Sequence, residues 1–207
     1  MKQWISVAAF ACLIGSASFV AAQTPAAGSK PQGGGGSGST AKPHDAGTHA
    51  QDGPAAADAM FIRTAGMDGM AEVEHGRLAA QNATHDEVKQ FGQRMVDDHG
   101  KANDELKGLA SQKKVTLPTE LDAKHKAMHD KLSKMKGAAF DKAYMSHMVT
   151  AHQQAVGLFT KESTGGKDAD VKAWAAKTLP TLQEHLKMAR GINAKVAGGK
   201  TAPAEKK

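Results

Sequence analysis

Cysteine is almost absent from this chain, since Cys12 is its only copy. Cys12 lies in an apolar N-terminal run that has the features of a secretory signal, so export would remove it. A lipoprotein signal has a leucine-like residue three positions before its cysteine, whereas Ala9 stands there, and this disfavours lipid anchoring. We therefore expect neither a disulfide, a thiolate metal site nor a cysteine nucleophile in the mature chain.

The N-terminus itself predicts export. Lys2 supplies positive charge, residues 5–20 form the apolar run, and Val20-Ala21-Ala22 is a small-residue cleavage site. We predict a signal peptide over residues 1–22, with cleavage near Ala22 and a periplasmic or secreted product. The run is shorter than the ~20 residues that a membrane span needs, and no later stretch is longer and as apolar, so we expect no transmembrane segment.

Aromatic residues and enzyme motifs are also scarce. Aromatics make up 4% of the chain, and basic residues are interspersed with acidic ones, so no nucleic-acid platform is predicted. The sequence contains no Gly-x-Ser-x-Gly elbow, phosphate-binding loop or His-Glu-x-x-His motif, which favours a non-enzymatic role. The partner is left open. Weak attraction to an anionic envelope surface through the C-terminal lysines and a homo-oligomer are both compatible with the sequence.

Composition divides the rest of the chain into three parts. Residues 23–54 are rich in Gly, Ala, Ser and Pro and contain no large apolar residue, so we predict a disordered linker there. Residues 197–207 are predicted to form a flexible basic tail. Residues 55–196 have the size of one domain. They are rich in helix-forming residues and lack the alternation of strands, which predicts an all-α fold.

Helix-capping and helix-breaking residues predict where the helices begin and end. The segment Thr84–Glu87 has the form of a capping box, and Pro180 should kink the last helix or divide it near Leu179. We predict one helix that ends near residue 82, followed by helices over about 84–113, 120–135, 138–163 and 168–196. Two tight hairpins with a long middle connection predict a ferritin-like four-helix bundle with a short helix in the crossover connection.

Each of the four long helices places one potential metal ligand in an otherwise apolar stripe. These ligands are Glu72, His99, His152 and His185. The helical period turns Glu72 inward and Glu74 outward. Such side chains are rarely buried without a partner, and here they lie on converging helices. One carboxylate and three imidazoles would suit a transition metal ion such as Fe, Zn, Cu, Mn or Ni.

Other donors are weaker candidates. Further ligands, or side chains that orient the ligands, are predicted among Asp68, His75, Asp98 and Asp141. His125 and His129 stand four apart on the short helix, and Met67 and Met70 lie on the outward side of the first helix. Imidazoles and thioethers at these positions could hold a metal, Cu(I) in the case of the methionines. Packing or solvent-exposed roles are the simpler interpretation of both pairs.

Several segments also resemble a known family. They are Ala71–Glu74, Phe91–His99, Leu117-Pro118, Phe140–Met145, His152-Gln153 and Leu179–Leu186. Over about residues 57–195 the chain is similar to the exported bacterial domain-of-unknown-function family 4142. The resemblance implies a ferritin-like helical bundle and export, and it implies no particular activity.

The wider ferritin-like group often holds two metal ions with a Glu-x-x-His motif on each of two helices. In this chain Val96 and Leu182 stand three positions before His99 and His185, where that motif would have Glu. A standard di-iron centre is therefore not expected, and a single His-rich site fits better.

Three functional hypotheses follow. The first is an exported bundle that binds a transition metal at Glu72, His99, His152 and His185, in sequestration or stress protection. The alternative is a metal-free envelope bundle in which these side chains form a structural polar network and the surface contacts a partner. The third is a redox enzyme that uses the same site.

Overall fold

Five α-helices account for most of residues 54–198, the part of the chain that this computed structural model describes. They are α1 (Ala56–Asn82), α2 (Asp86–Gln112), α3 (Ala123–Ser133), α4 (Gly137–Gly165) and α5 (Ala169–Ala197). These residues contain no strand, so the prediction of an all-α fold is confirmed. None of the five helices has the length and apolar character that crossing a membrane requires.

Some of the predicted segments lie outside the described residues. They are the signal peptide (1–22), the linker up to residue 53, and the tail from residue 199 onward.

The helices pack as two hairpins. The most extensive contacts join α1 to α2 and α4 to α5. The two hairpins meet through α1 with α4 and α2 with α5, while α3 lies in the connection and touches α1 and α4. Short turns make neighbouring helices antiparallel, as the sequence predicted.

The start of α2 is held by a residue of another helix. The Asp141 carboxylate on α4 accepts hydrogen bonds from the backbone N–H of Thr84 (3.1 Å) and of His85 (3.0 Å). The predicted capping box at Thr84 is wrong, because α2 begins at Asp86 and shows no side-chain cap of its own in the described region. The turn already has an acceptor from α4, so a local one is not needed.

The other hairpin turn is held in the same way. The Asp58 carboxylate on α1 accepts hydrogen bonds from the backbone N–H of Lys167 (3.1 Å) and Asp168 (2.7 Å). Each hairpin therefore supplies one buried aspartate to the turn of the other. This exchange is a contact between hairpins that helical periodicity within one hairpin does not reveal.

The last helix continues through its proline. α5 runs without a break from Ala169 to Ala197, with Pro180 inside it, so the predicted division near Leu179 is wrong. Leu179 and Leu182, on either side of the proline, pack in one apolar cluster. Their packing favours one continuous helix although Pro180 lacks a hydrogen-bond donor, and a kink at Pro180 stays a prediction.

Two glycines let α1 and α2 approach closely. A Cβ atom added at Gly76 would lie 2.5 Å from the Gly92 carbonyl oxygen, and one at Gly92 would lie 2.5 Å from the Ala79 Cβ. Neither distance is sterically allowed, so this contact needs residues without a side chain. The close approach sets how near the inward faces of α1 and α2 come to each other.

The apolar core is in two parts. The Phe91 cluster joins the ends of α1 and α5 to the starts of α2 and α4, and includes Tyr144. The Phe159 cluster joins the opposite helix ends and includes Trp174. Between the two clusters along the helices lies a layer of buried polar side chains, which are Glu72, His75, His99, His152 and His185. A polar layer inside a helical core requires internal partners, because water does not solvate it.

Candidate metal centre

Three histidines from three helices converge in this polar layer. His99 on α2, His152 on α4 and His185 on α5 each place one ring nitrogen within 4.8 Å of the others. Within residues 54–198 they are the only such group of three potential metal ligands. The ring centroids are 5.7 Å apart for His99 and His152 and 5.4 Å for the other two pairs. We call this group the histidine triad.

Hydrogen bonds orient two rings of the triad. The Nδ1 of His152 lies 3.0 Å from the Met148 carbonyl oxygen, and the Nε2 of His185 lies 2.8 Å from Oδ2 of Asp98. A carbonyl and a carboxylate only accept, so we assign the ring protons to these two nitrogens. The opposite nitrogen of each ring therefore keeps its lone pair. Histidines that bind metals are commonly held by this kind of second hydrogen bond.

Each ring of the triad has one buried nitrogen without a partner in the described residues. The Nε2 of His99, the Nε2 of His152 and the Nδ1 of His185 are buried, and none of them makes a hydrogen bond within the described part of the chain. Leaving a buried polar atom unpaired costs about 1–3 kcal/mol. Three such atoms on converging rings are what a bound cation would satisfy.

The ring spacing also fits a shared ion. Two imidazoles bound to one tetrahedral ion at about 2.0 Å from each nitrogen have ring centroids about 5.2 Å apart. The observed separations of 5.4 to 5.7 Å are close to this value, so small ring movements would suffice. The donor set is three imidazoles and no thiolate, which suits copper or zinc.

Burial keeps the triad uncharged at neutral pH. Burial and, to a lesser extent, the neighbouring imidazoles together lower the pKa of His99 to about 3 and that of His152 to about 4. Burial also lowers the pKa of His185, although Asp98 opposes the shift. Neutral imidazoles are the form that binds metals, so no proton has to leave the triad before an ion binds.

Asp98 in turn is held by an arginine. The Arg94 Nε donates to Oδ2 of Asp98 at 3.1 Å, and its Nη2 lies 3.2 Å from the Glu184 carboxylate. Burial alone would raise the pKa of Asp98, but the hydrogen bonds from His185 and Arg94 outweigh it and lower the pKa below its usual value. Asp98 therefore stays ionised and keeps the proton of His185 on Nε2. The sequence analysis predicted a supporting role for Asp98 but missed Arg94, although the two stand four apart on one helix.

Glu72 lies beside the triad rather than among its unpaired nitrogens. Its Oε1 is 3.9 Å from Nδ1 of His152, on the ring edge that faces Met148, and its Oε2 is buried without a partner in the described region. Burial raises the pKa of Glu72 to about 8, and the charge of Asp68 adds to the shift. The structure thus brings together three of the four predicted ligands and places the fourth next to one of them.

The other predicted donors are dispersed. Asp141 lies at the α1–α2 turn and not at the triad. The Asp68 carboxylate lies 3.3 Å from Nε2 of His125. The Sδ of Met67 accepts a hydrogen bond from the Asp122 backbone N–H at 3.3 Å. Met67 and Met70 are partly buried rather than fully outward.

A cavity of about 250 Å³ reaches the triad from the α1, α3 and α4 side. At the inner end its lining includes His99 and His152, and at the outer end it includes the exposed Lys124, Thr150 and Gln154. A second cavity of about 150 Å³ reaches His99 and His185 between α2 and α5. The triad is therefore buried but lies at the end of two openings.

Comparison with known proteins addresses the fold. Residues 43–192 match the model of the family described as Domain of unknown function (DUF4142). No curated protein matches the chain.

Several solved structures share the fold. A DUF305 fragment from Deinococcus radiodurans is 10% identical, with a TM-score of 0.62 over 69% of this chain and 99% of that one. A DUF305 protein from Streptomyces coelicolor is 16% identical, with a TM-score of 0.59 over 72% and 95% of the two chains. CopM in its Cu(II)-bound form is 19% identical, with a TM-score of 0.57 over 67% and 96%. At these identities the likeness shows a common fold only.

The family match carries more weight than these likenesses, because it spans most of the sequence and agrees with the segments singled out above. The chain belongs to the DUF4142 family, whose activity its description leaves open.

Proposed function

We propose that this protein is an exported ferritin-like four-helix bundle that sequesters a transition metal ion, with copper as the preferred ion, at His99, His152 and His185. The observation that carries the proposal is the convergence of three buried, unpaired ring nitrogens in the described structure. The Phe91 and Phe159 clusters adjoin the triad along the helices and exclude water from those two directions. Such a site suits storage or protection against metal stress better than rapid turnover.

The architecture supports the ferritin-like description. Two antiparallel hairpins contact each other along their length, and the connection between them carries the short helix α3. One long crossover of this kind is the connectivity of ferritin-like bundles. The proposal also includes the signal peptide over residues 1–22, the linker over residues 23–54, the helical domain over residues 55–196 and the tail over residues 197–207.

The choice of copper follows from the donors. Three neutral imidazoles suit Cu and Zn, whereas Mn and Mg sites are richer in carboxylate and water oxygens. Among divalent first-row ions, Cu²⁺ binds a given nitrogen site most tightly. The structural neighbour CopM is described in Cu(I)-bound and Cu(II)-bound forms, which agrees with this choice. Zn, Fe, Ni and Mn are the ions against which copper should be compared.

Glu72 is the candidate fourth ligand of the proposed site. Its carboxyl group would have to turn from the Nδ1 edge of His152 toward the unpaired nitrogens. A cation at the triad would lower the raised pKa of Glu72, so binding should release a proton near neutral pH. The added negative charge would favour a divalent over a monovalent ion.

The metal-free alternative explains less. A structural polar network is stable when its members satisfy one another. Here Tyr144 Oη and Glu72 Oε2 are also buried without a partner among residues 54–198, in addition to the three ring nitrogens. A metal-free network would therefore need water in the cavities to pair these atoms, whereas one bound ion would pair the three ring nitrogens at once.

Elemental analysis of the mature protein, purified without a His-tag or chelator, tests the proposal. We expect one copper ion per chain at the triad after loading, and the variant His99→Ala/His185→Ala should hold one ion fewer than the wild type. His85→Ala is the matched control, because His85 precedes α2 and lies about 20 Å along the helix from His99. The control should keep its metal.

A second variant guards against simple unfolding. His152→Gln keeps much of the volume of the side chain, and far-ultraviolet circular dichroism would show that it stays helical. The proposal is wrong if the wild type is empty and gains no thermal stability from Cu, Zn, Fe, Mn or Ni, since an ion that binds only the folded state must raise its stability. The metal-free structural hypothesis would then stand.

A further inference from the structure

A second group of histidines, one each from α1, α3 and α4, lies outside the triad. His75 on α1 is 1% exposed, and both of its ring nitrogens are buried without a partner in the described region. Its ring centroid lies 5.1 Å from that of His147 on α4 and 6.1 Å from that of His129 on α3. We call these three residues the outer histidines. His147 was missed in the sequence analysis, although it lies one turn from the inward-facing Tyr144.

The spacing of the outer histidines is close to that of a shared ligand. The 5.1 Å between His75 and His147 matches the separation of about 5.2 Å for two imidazoles on one ion. His129 is about 1 Å further from His75 than this value. Its side chain is 31% exposed, and its Nδ1 lies 3.8 Å from a carboxylate oxygen of Asp130 on the same helix. The ring of His129 is nearly parallel to that of His75, at 24°, so it must turn as well as move closer to share an ion. The partial exposure of the side chain allows this movement.

Two of the outer histidines border the cavity that reaches the triad. His75 and His147 line the 250 Å³ cavity together with His125 and Met128, and His99 and His152 of the triad line the same cavity. Thr150, three residues after His147 on α4, is exposed and also lines the cavity, so the cavity opens to solvent near His147.

Glu72 connects the two groups. It stands three residues before His75 on α1, and side chains at this spacing are neighbours on a helix. Its Oε1 also lies 3.9 Å from His152 of the triad. One buried carboxyl group is thus within reach of both sets of imidazoles.

We propose that His75, His129 and His147 form a second metal site, which captures a copper ion from solvent and passes it along the cavity to the triad. The proposal that the outer histidines bind an ion depends only on the distances between those histidines. The transfer step rests on the proposed function of the triad. No redox change is required, because the ion moves between two sets of imidazole donors with Glu72 between them.

Copper binding by the mature protein tests both parts. Trp174 lines the cavity, and the other tryptophan of the chain, Trp4, lies in the predicted signal peptide. Quenching of tryptophan fluorescence by Cu(II) in a stopped-flow instrument therefore reports how fast the cavity loads, and elemental analysis after gel filtration gives the stoichiometry. The variant for the outer site is His129→Ala/His147→Ala, which leaves the buried His75 in place.

We expect two copper ions in the wild type and one in His129→Ala/His147→Ala. Quenching should slow in that variant, because the ion is no longer bound beside the cavity before it reaches the triad. His99→Ala/His185→Ala should also hold one ion, bound at the outer site. His85→Ala should behave as the wild type in both measurements.

The outcomes separate the two proposals. The proposed second site is wrong if His129→Ala/His147→Ala binds as many copper ions as the wild type and loads as fast. The triad proposal would still stand, and copper would then enter through the opening between α2 and α5. If the wild type holds one ion that only the triad variant loses, the inference again fails alone. If one ion is lost only in the outer variant, the outer site stands and the proposed function of the triad fails. An empty wild type overturns both.

Discussion

At the scale of the residue, the decisive feature is how burial sets the protonation of each polar side chain. Glu72 is held in its neutral form and the histidines of the triad in theirs, so the layer carries little charge although it contains many ionisable groups. Asp98 is the exception, because Arg94 and His185 both donate to it. This single carboxylate determines which nitrogen of His185 is available.

Glu72→Gln should stabilise the metal-free protein at alkaline pH. The pKa of Glu72 is raised to about 8, so its contribution to stability is present below the unfolded pKa near 4.5 and is lost as pH rises through 8. Glutamine resembles the protonated form at every pH. We expect equal free energies of unfolding at pH 5, and a variant that is more stable by about 2–4 kcal/mol at pH 9.

Urea denaturation at both pH values, with a chelator present, measures this difference. Glu74→Gln is the control, because Glu74 is partly exposed and pairs with Arg77 on the surface. A Glu72→Gln variant that is no more stable than the wild type at pH 9 would show that Glu72 is not held protonated.

At the scale of the helix, close packing decides the register in which these side chains meet. Gly76 and Gly92 bring α1 and α2 into close contact, and Gly76 directly follows His75 of the polar layer. The aspartates Asp58 and Asp141 hold the two turns from the opposite hairpin. Together these contacts position α1, α2 and α4 relative to one another.

Gly92→Ala should destabilise the fold although alanine is the better helix former. Its Cβ would lie 2.5 Å from the Ala79 Cβ, so α1 and α2 would have to separate, at about 1–3 kcal/mol. Gly100→Ala on the same helix is the matched control, because nothing lies within 4 Å of a Cβ there. It should stabilise the protein by up to about 1 kcal/mol.

Thermal and urea denaturation of the two variants give this comparison directly. We expect the free energy of unfolding to fall in Gly92→Ala and to rise in Gly100→Ala. If Gly92→Ala is stabilised as much as Gly100→Ala, the two helices are not in the close contact described here.

At the scale of the whole molecule, the polar layer makes the fold sensitive to acid. Burial, together with smaller effects of neighbouring imidazoles or cations, lowers the pKa of His75 and His99 to about 3 and that of His147 and His152 to about 4. In the unfolded chain these groups titrate near 6.5. Their contribution to stability is present above 6.5 and is lost as pH falls toward 4 and 3.

We therefore expect the free energy of unfolding of the metal-free protein to fall steeply between pH 6.5 and 4. His152→Gln removes one of these groups, so it should lose about 2 kcal/mol less than the wild type between pH 7 and pH 5. Urea denaturation across this range measures the slopes. Identical slopes in the two proteins would mean that His152 is not held neutral in the fold.

Much of this architecture was predictable because helical periodicity is a local property. The 3.6-residue repeat identified an all-α fold and turned Glu72, His99, His152 and His185 inward, and the burial of all four confirms that placement. Their role as metal ligands stays a prediction. The family resemblance, carried by segments such as Phe91–His99, is also confirmed.

Other features could not be predicted from short segments of the sequence, because they depend on contacts between distant residues. The acceptor for the α1–α2 turn comes from Asp141, 56 residues from His85, and not from the nearby Thr84. Pro180 interrupts a hydrogen bond, yet packing on either side keeps α5 continuous. His147 borders the inward stripe of α4, and its meeting with His75 depends on how α1 and α4 are aligned.

By itself the sequence therefore determined the helical class, the inward faces and the residue types available for a site, because these depend on propensity and on the period of one helix. Only the tertiary structure decided that three imidazoles converge while Glu72 stands beside His152, and that His75 meets His129 and His147. The reason is that the distance between side chains of different helices depends on the axial and rotational alignment of those helices. Packing between the helices sets that alignment, as at Gly76 and Gly92.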